Sequence, residues 1–122
     1  MSKTVMIVDD ALFMRTMLRD IFLEAGWQVV AEADNGEQAI TEYGKHQPDL
    51  VSMDIVMPEM GGIEALKKIL DVDARARIVV CSALGQKKLI LDALQAGAKD
   101  FIVKPFQKEQ VLDVVERVVS DE

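Results

Sequence analysis

The chain has 122 residues, 50% of them apolar, which suits one domain with a buried core. Its 14 Lys and Arg against 21 Asp and Glu leave a net charge of −7, which argues against nucleic acid or an anionic membrane as partner and leaves room for a cation or a basic protein surface. No apolar run could cross a bilayer, and the first one ends at once in Asp9 and Asp10, unlike a signal peptide, so the expected location is the cytoplasm.

In chain order, residues 5–8 form a short apolar run, read as a strand covered on both faces. Met14, Met17, Leu18, Ile21 and Ala25 then follow helical spacing, and Gly26 can stop that helix. Residues 27–33 mix polar and apolar side chains, as an edge strand does. Asn35 with Gln38 resembles a capping box before Ala39, Ile40 and Tyr43, and Pro48 limits that helix. Residues 50–53 are a second apolar run, followed by a turn-rich stretch over 57–62 and a helix carrying Ile63, Leu66, Ile69 and Leu70. Residues 78–81 form another run, ending in the lone Cys81, which has no disulfide partner and is expected to be buried. A fourth helix is expected to bury Leu91 and Leu94 and end at Gly97, with Leu89 and Ile90 as an outer pair offered to a partner. A last run over 101–103 precedes a helix marked by Val111, Leu112, Val115, Val118 and Val119. Strand and helix thus alternate five times over one domain, residues 1–122, which predicts a doubly wound α/β fold: a five-stranded parallel sheet with helices on both faces.

In such sheets ligands bind beyond the carboxyl ends of the strands. Just past the predicted strand ends stand Asp9 and Asp10, then Asp54, Ser82 and Lys104. Each has an ordinary structural reading: Asp9 and Asp10 as a helix cap, Asp54 as a loop acid, Ser82 as a cap, Lys104 as a solvated lysine. Their coincidence at one end of one sheet is the informative feature. Crowded carboxylates raise one another's pKa, and a hard divalent cation such as magnesium offsets the repulsion. With Asp54 as an oxygen nucleophile, Ser82 as a hydroxyl donor and Lys104 as a counter-charge, the set has the parts for phosphoryl transfer.

Five ordered segments carry a resemblance: Ile7-Val8-Asp9-Asp10, the stretch 53–62 around Asp54 and Pro58, Cys81-Ser82-Ala83, Gly97-Ala98-Lys99-Asp100-Phe101 and Lys104-Pro105-Phe106. Over nearly the whole chain the sequence resembles the receiver domains of two-component response regulators. The likeness implies the flavodoxin-like strand order 2-1-3-4-5. It implies that Asp54 accepts phosphate from a histidine kinase, and that Asp9, Asp10, Asp54 and the Val56 backbone carbonyl hold Mg2+. Ser82 would move toward the phosphoryl group, Phe101 would rotate inward, and Lys104 would bond the phosphate ahead of a cis bond to Pro105. A permanently buried Phe101 is the alternative. Such a protein is a switch and not a turnover enzyme.

Within the family the likeness is greatest to stand-alone chemotaxis regulators from outside the enteric bacteria, carried by residues 9–15, 81–86 and 99–107. It implies a chemotaxis-type histidine kinase, a phosphatase and the flagellar motor switch as partners. The switch would bind the face of helix four, strand five and helix five. The chain ends at Asp121 and Glu122, just after the last predicted helix, which reads as a diffusible monomer with no fused effector. The best-known enteric pattern has an amide two residues after the phosphoacceptor and an acid two after the switch hydroxyl. Here Val56 and Leu84 stand there, and neither can bond an attacking water, so slow loss of the phosphoryl group is expected, while the small Ala83 leaves the site open to donors. A phosphorelay intermediate is the nearest alternative. A flavodoxin-like electron carrier is remote, because Asp9 and Asp10 would repel a flavin phosphate. A haloacid-dehalogenase-type phosphatase wants a second acid where Val56 stands.

Overall fold

The computed structural model describes residues 3–120; the chain end at Asp121 and Glu122, read above as the close of a stand-alone protein, lies outside them. The elements alternate as expected: β1 (Thr4–Val8), α1 (Leu12–Glu24), β2 (Gln28–Ala33), α2 (Gly36–His46), β3 (Leu50–Asp54), α3 (Gly62–Val72), β4 (Ile78–Ala83), α4 (Lys87–Ala96), β5 (Asp100–Lys104) and α5 (Lys108–Ser120). The strands form one sheet of order β2-β1-β3-β4-β5, every pair parallel. The mixed strand β2 is an edge, as its sequence suggested.

The strand runs are apolar at nearly every position, with the buried Ser52 the exception, because alternate side chains enter two separate cores. Met6, Val8, Val51, Met53, Ile78 and Val80 point to one face, where residues of α2, α3 and α4 cover them. Val5, Ile7, Leu50, Val79, Cys81 and Ile102 point to the other, beneath α1 and α5. Cys81 is buried as expected, and burial pushes its thiol up to about 11.

Local signals set the helix ends. Asn35 Oδ1 accepts from the Gln38 amide at 2.9 Å, and Gln38 Oε1 accepts from the Asp34 amide at 3.0 Å, so the reciprocal bond falls one residue earlier than in a standard capping box. α2 ends at His46, before Pro48, with Gln47 in the left-handed region at φ 42°. Gly97 ends α4 at φ 121°.

Two expected faces are corrected. In α1, Ala25 is exposed at the C-terminal cap, while Phe22, absent from the expected stripe, is buried and meets Trp27 edge-on at 5.4 Å. In α4, Leu91 is 52% exposed, whereas Leu89, Ile90 and Leu94 pack on the core around the fully buried Ala93. The small Ala93 lets the helix approach the sheet closely, which fixes the stripe 89-90-93-94 inward and turns Leu91 to solvent. The outer position on this helix belongs to Leu91, not to Leu89 and Ile90.

Candidate functional site

The parallel sheet brings the carboxyl ends of β1, β3, β4 and β5 to one rim. Asp9 and Asp10 follow β1 directly. Asp54 and Lys104 are the last residues of their strands and Ser82 is the next-to-last of β4, so all three lie within strands and not just past them as the sequence suggested. Carboxylate oxygens of Asp9, Asp10 and Asp54 lie within 4.8 Å of one another. Lys104 reaches across from the edge strand, its Nζ 2.9 Å from Asp9 Oδ2 and 3.3 Å from Asp54 Oδ1. The bond from Lys104 to Pro105 is cis.

The ordinary structural readings fare unevenly. Asp54 is buried at a strand end, so it is no loop acid. Ser82 sits inside β4, whereas the cap position of α4 is Gln86. Lys104 is mostly buried and doubly paired. Asp9 does have a capping-like role as well, since its Oδ1 accepts from the Ala11 amide at 2.9 Å.

Asp9 is bound through each of its polar atoms. Its amide donates to the Ala33 carbonyl at 3.0 Å, extending the β1–β2 ladder. Its own carbonyl accepts from Arg15 Nη1 at 2.7 Å. Asp10, by contrast, is exposed, and no hydrogen bond of its carboxylate occurs among the described residues.

Burial raises the pKa of Asp54 to about 6, helped by the neighbouring Asp9 charge and opposed by Lys104. Burial alone would lower Lys104, but its hydrogen bond to Asp9 and the charges of Asp54 and Asp9 outweigh that and raise it. Three acids against one lysine leave an anionic pocket of oxygen donors, and this donor set fits a hard divalent cation.

The neighbours of this pocket differ in environment. Ser82 is fully buried, and its Oγ has no hydrogen-bond partner among the described residues. Val56 is 55% exposed and Leu84 82% exposed. Phe101 is 37% exposed, so it is not a permanently buried core aromatic here; with Leu84, Val103, Val114 and Arg117 it lines a groove of about 580 Å³ beside α5.

Gly62 and Arg15 were not singled out from the sequence. Gly62 opens α3 against the Asp54 carbonyl, and a Cβ there would lie 2.1 Å from that oxygen. Arg15 had a readable signal: it stands three and seven residues before Leu18 and Phe22, so a cation occupies the buried stripe of α1.

A doubly wound sheet with this pocket at its carboxyl rim defines a class, and residues 5–116 match the response regulator receiver domain: the chain belongs to that family. It is a phosphorylation-activated response regulator, closely related to the chemotaxis protein CheY. It is 57% identical to CheY of Bacillus subtilis (strain 168) over 120 residues, 98% of this chain and 100% of that relative. It is 53% identical to CheY of Thermotoga maritima over 118 residues, 97% of this chain and 98% of that one. A crystal structure of a CheX–CheY complex from Borrelia burgdorferi with BeF3 and magnesium superposes with a TM-score of 0.91 at 42% identity, covering 95% of this chain and 88% of that chain. Among the described residues no helix is long and apolar enough to cross a membrane.

Proposed function

We propose that Asp54 takes a phosphoryl group from the phosphohistidine of a chemotaxis-type histidine kinase, in a magnesium-dependent reaction, and that the face of α4, β5 and α5 changes in response. The observation that carries this reading is the buried Asp54 carboxylate, 3.3 Å from Lys104 and within reach of Asp9 and Asp10. An Asp54 oxygen attacks phosphorus. The P–N bond breaks as the O–P bond forms, and the kinase imidazole keeps the electron pair. Asp9, Asp10, Asp54 and the Val56 carbonyl would hold Mg2+, which when bound supplies positive charge against the phosphoryl oxygens. Lys104 neutralises charge on the same group and keeps it oriented.

Ser82 then moves to donate its hydroxyl to a phosphoryl oxygen, which its buried Oγ, without a partner among the described residues, favours. Phe101, half-exposed on the edge strand, turns inward and reshapes the groove beside α5. Phosphorylation biases an existing equilibrium between two surface states. The flagellar motor switch reads that surface, and the protein acts as a cytoplasmic monomer whose single domain spans residues 1–122. Val56 and Leu84 offer no hydrogen bond to an attacking water, so the phosphoryl group is lost slowly and a phosphatase ends the signal. The Borrelia relative's complex with CheX, BeF3 and magnesium supports both the metal and a protein partner.

The test is incubation with a small phosphodonor and magnesium, read by intact mass. One added phosphoryl group is expected, absent from Asp54→Asn; a gain that persists in that variant overturns the assignment. Magnesium alone should also raise the melting temperature by relieving the acid cluster.

A further inference from the structure

Arg15 holds a place in the site that the receiver reading does not use. Its side chain is 16% exposed on α1, and it divides its donors between two elements. Nη1 gives a 2.7 Å bond to the backbone carbonyl of Asp9, and Nε lies 3.3 Å from Glu32 Oε1 on β2. The second Glu32 oxygen meets Arg19 at 3.4 Å, so Glu32 is itself tethered. The planar guanidinium is therefore fixed at both ends.

The carbonyl it grips belongs to the peptide unit joining Asp9 to Asp10. That unit is planar, so fixing its oxygen fixes the direction in which the chain leaves for the Asp10 Cα. Asp9 has three other restraints, on its amide and on both carboxylate oxygens. The Asp10 carboxylate has no hydrogen bond among the described residues. The Asp10–Ala11 peptide is held by Asp9 Oδ1, and the Arg15 bond holds the Asp9–Asp10 peptide, so these two contacts fix the backbone that carries Asp10.

We propose that Arg15, braced by Glu32, is a positioning residue that aims the Asp10 carboxylate into the acid pocket and so sets its affinity for a divalent cation. The inference rests on the magnesium reading above and adds a residue to it. Two effects of Arg15 oppose each other, which makes the claim decidable. As a nearby positive charge, Arg15 repels a cation, so on charge alone its removal tightens magnesium binding. As a brace, it pre-organises a ligand, so its removal weakens binding, typically roughly tenfold for an outer-shell partner.

The experiment measures magnesium affinity calorimetrically in wild type, Arg15→Ala, Arg15→Lys, Glu32→Gln and Arg19→Ala. The dissociation constant is expected to rise roughly tenfold in Arg15→Ala, to rise in Arg15→Lys despite the retained charge, to rise less in Glu32→Gln, and to rise least in Arg19→Ala, which only loosens Glu32. Amide hydrogen exchange at Asp10 and Ala11, followed without metal, is expected to accelerate in Arg15→Ala. Unchanged or tighter magnesium binding in Arg15→Ala overturns the proposal. If Arg15→Ala does not fold, Arg15→Lys, which keeps the charge but not the planar fork, decides on the same criterion. Absence of magnesium binding in wild type would sink the metal reading itself, and the exchange experiment would then decide alone whether Arg15 holds the Asp9–Asp10 peptide.

Discussion

Lys104 Nζ stands nearer to Asp9, at 2.9 Å, than to Asp54, at 3.3 Å, so without metal the lysine is shared between two carboxylates. It offsets part of the cost of burying Asp54, and it waits where a phosphoryl group on Asp54 would sit. Lys104→Met therefore pushes the Asp54 pKa above its present value of about 6. It should also slow phosphorylation by a small phosphodonor roughly a hundredfold, the usual effect of losing one charge-stabilising donor. Rates from intact mass against time give the check, and a wild-type rate would remove Lys104 from the chemistry.

The Asp54 shift also fixes the sign of a pH effect. Its carboxyl ionises near 6 when folded and near 3.8 when unfolded. Its contribution to stability is therefore fully present below about pH 4 and is lost as pH rises through 6. In metal-free protein, Asp54→Asn should be more stable than wild type at pH 7.5, by at most about 3 kcal/mol, with the gap closing near pH 4. Urea titrations across that range measure it. A gap that widened on acidification would contradict the buried-acid description.

Val56 stands two residues past Asp54 with its side chain in solvent. Val56→Asn places a hydrogen-bonding group where water would attack. One such bond, about 1.4 kcal/mol in the transition state, shortens the phosphoryl half-life on the order of tenfold. Decay followed by intact mass after removal of the phosphodonor reports it, and an unchanged half-life defeats the explanation of slow loss.

Gly62 leaves no room for a side chain, since its added Cβ would meet the Asp54 carbonyl at 2.1 Å. Gly62→Ala must push α3 away from β3, at a cost of roughly 1–3 kcal/mol. The same displacement shifts the backbone carrying Asp54, so magnesium affinity should fall along with the urea midpoint. Loss of neither would mean that the helix start yields freely.

Much of this architecture was legible in the residue order. The valine- and isoleucine-rich runs read as strands because both faces of β1, β3 and β4 are covered, and Asp9, Asp10, Asp54, Ser82 and Lys104 could then be placed by where those runs stop. The phase of α4 could not, because Leu89-Ile90-Leu91 is apolar at three successive positions and only the small Ala93 settles which side meets the sheet. Phe22 was lost for a similar reason: the methionine-rich stripe before it satisfied the helical spacing without it. The brace from Arg15 joins α1, β2 and the end of β1, so it depends on how strands neighbour in space, a relation that no local window contains.

Ser82 keeps an alcohol buried inside the sheet with no hydrogen-bond partner among the described residues. Such a group favours any conformation that offers it an acceptor, by about 1–3 kcal/mol. That is a preference of roughly five- to a hundredfold in population, expressed only once an acceptor is supplied. On the proposed reading, the phosphoryl group on Asp54 would supply the lone pair that this one buried atom lacks.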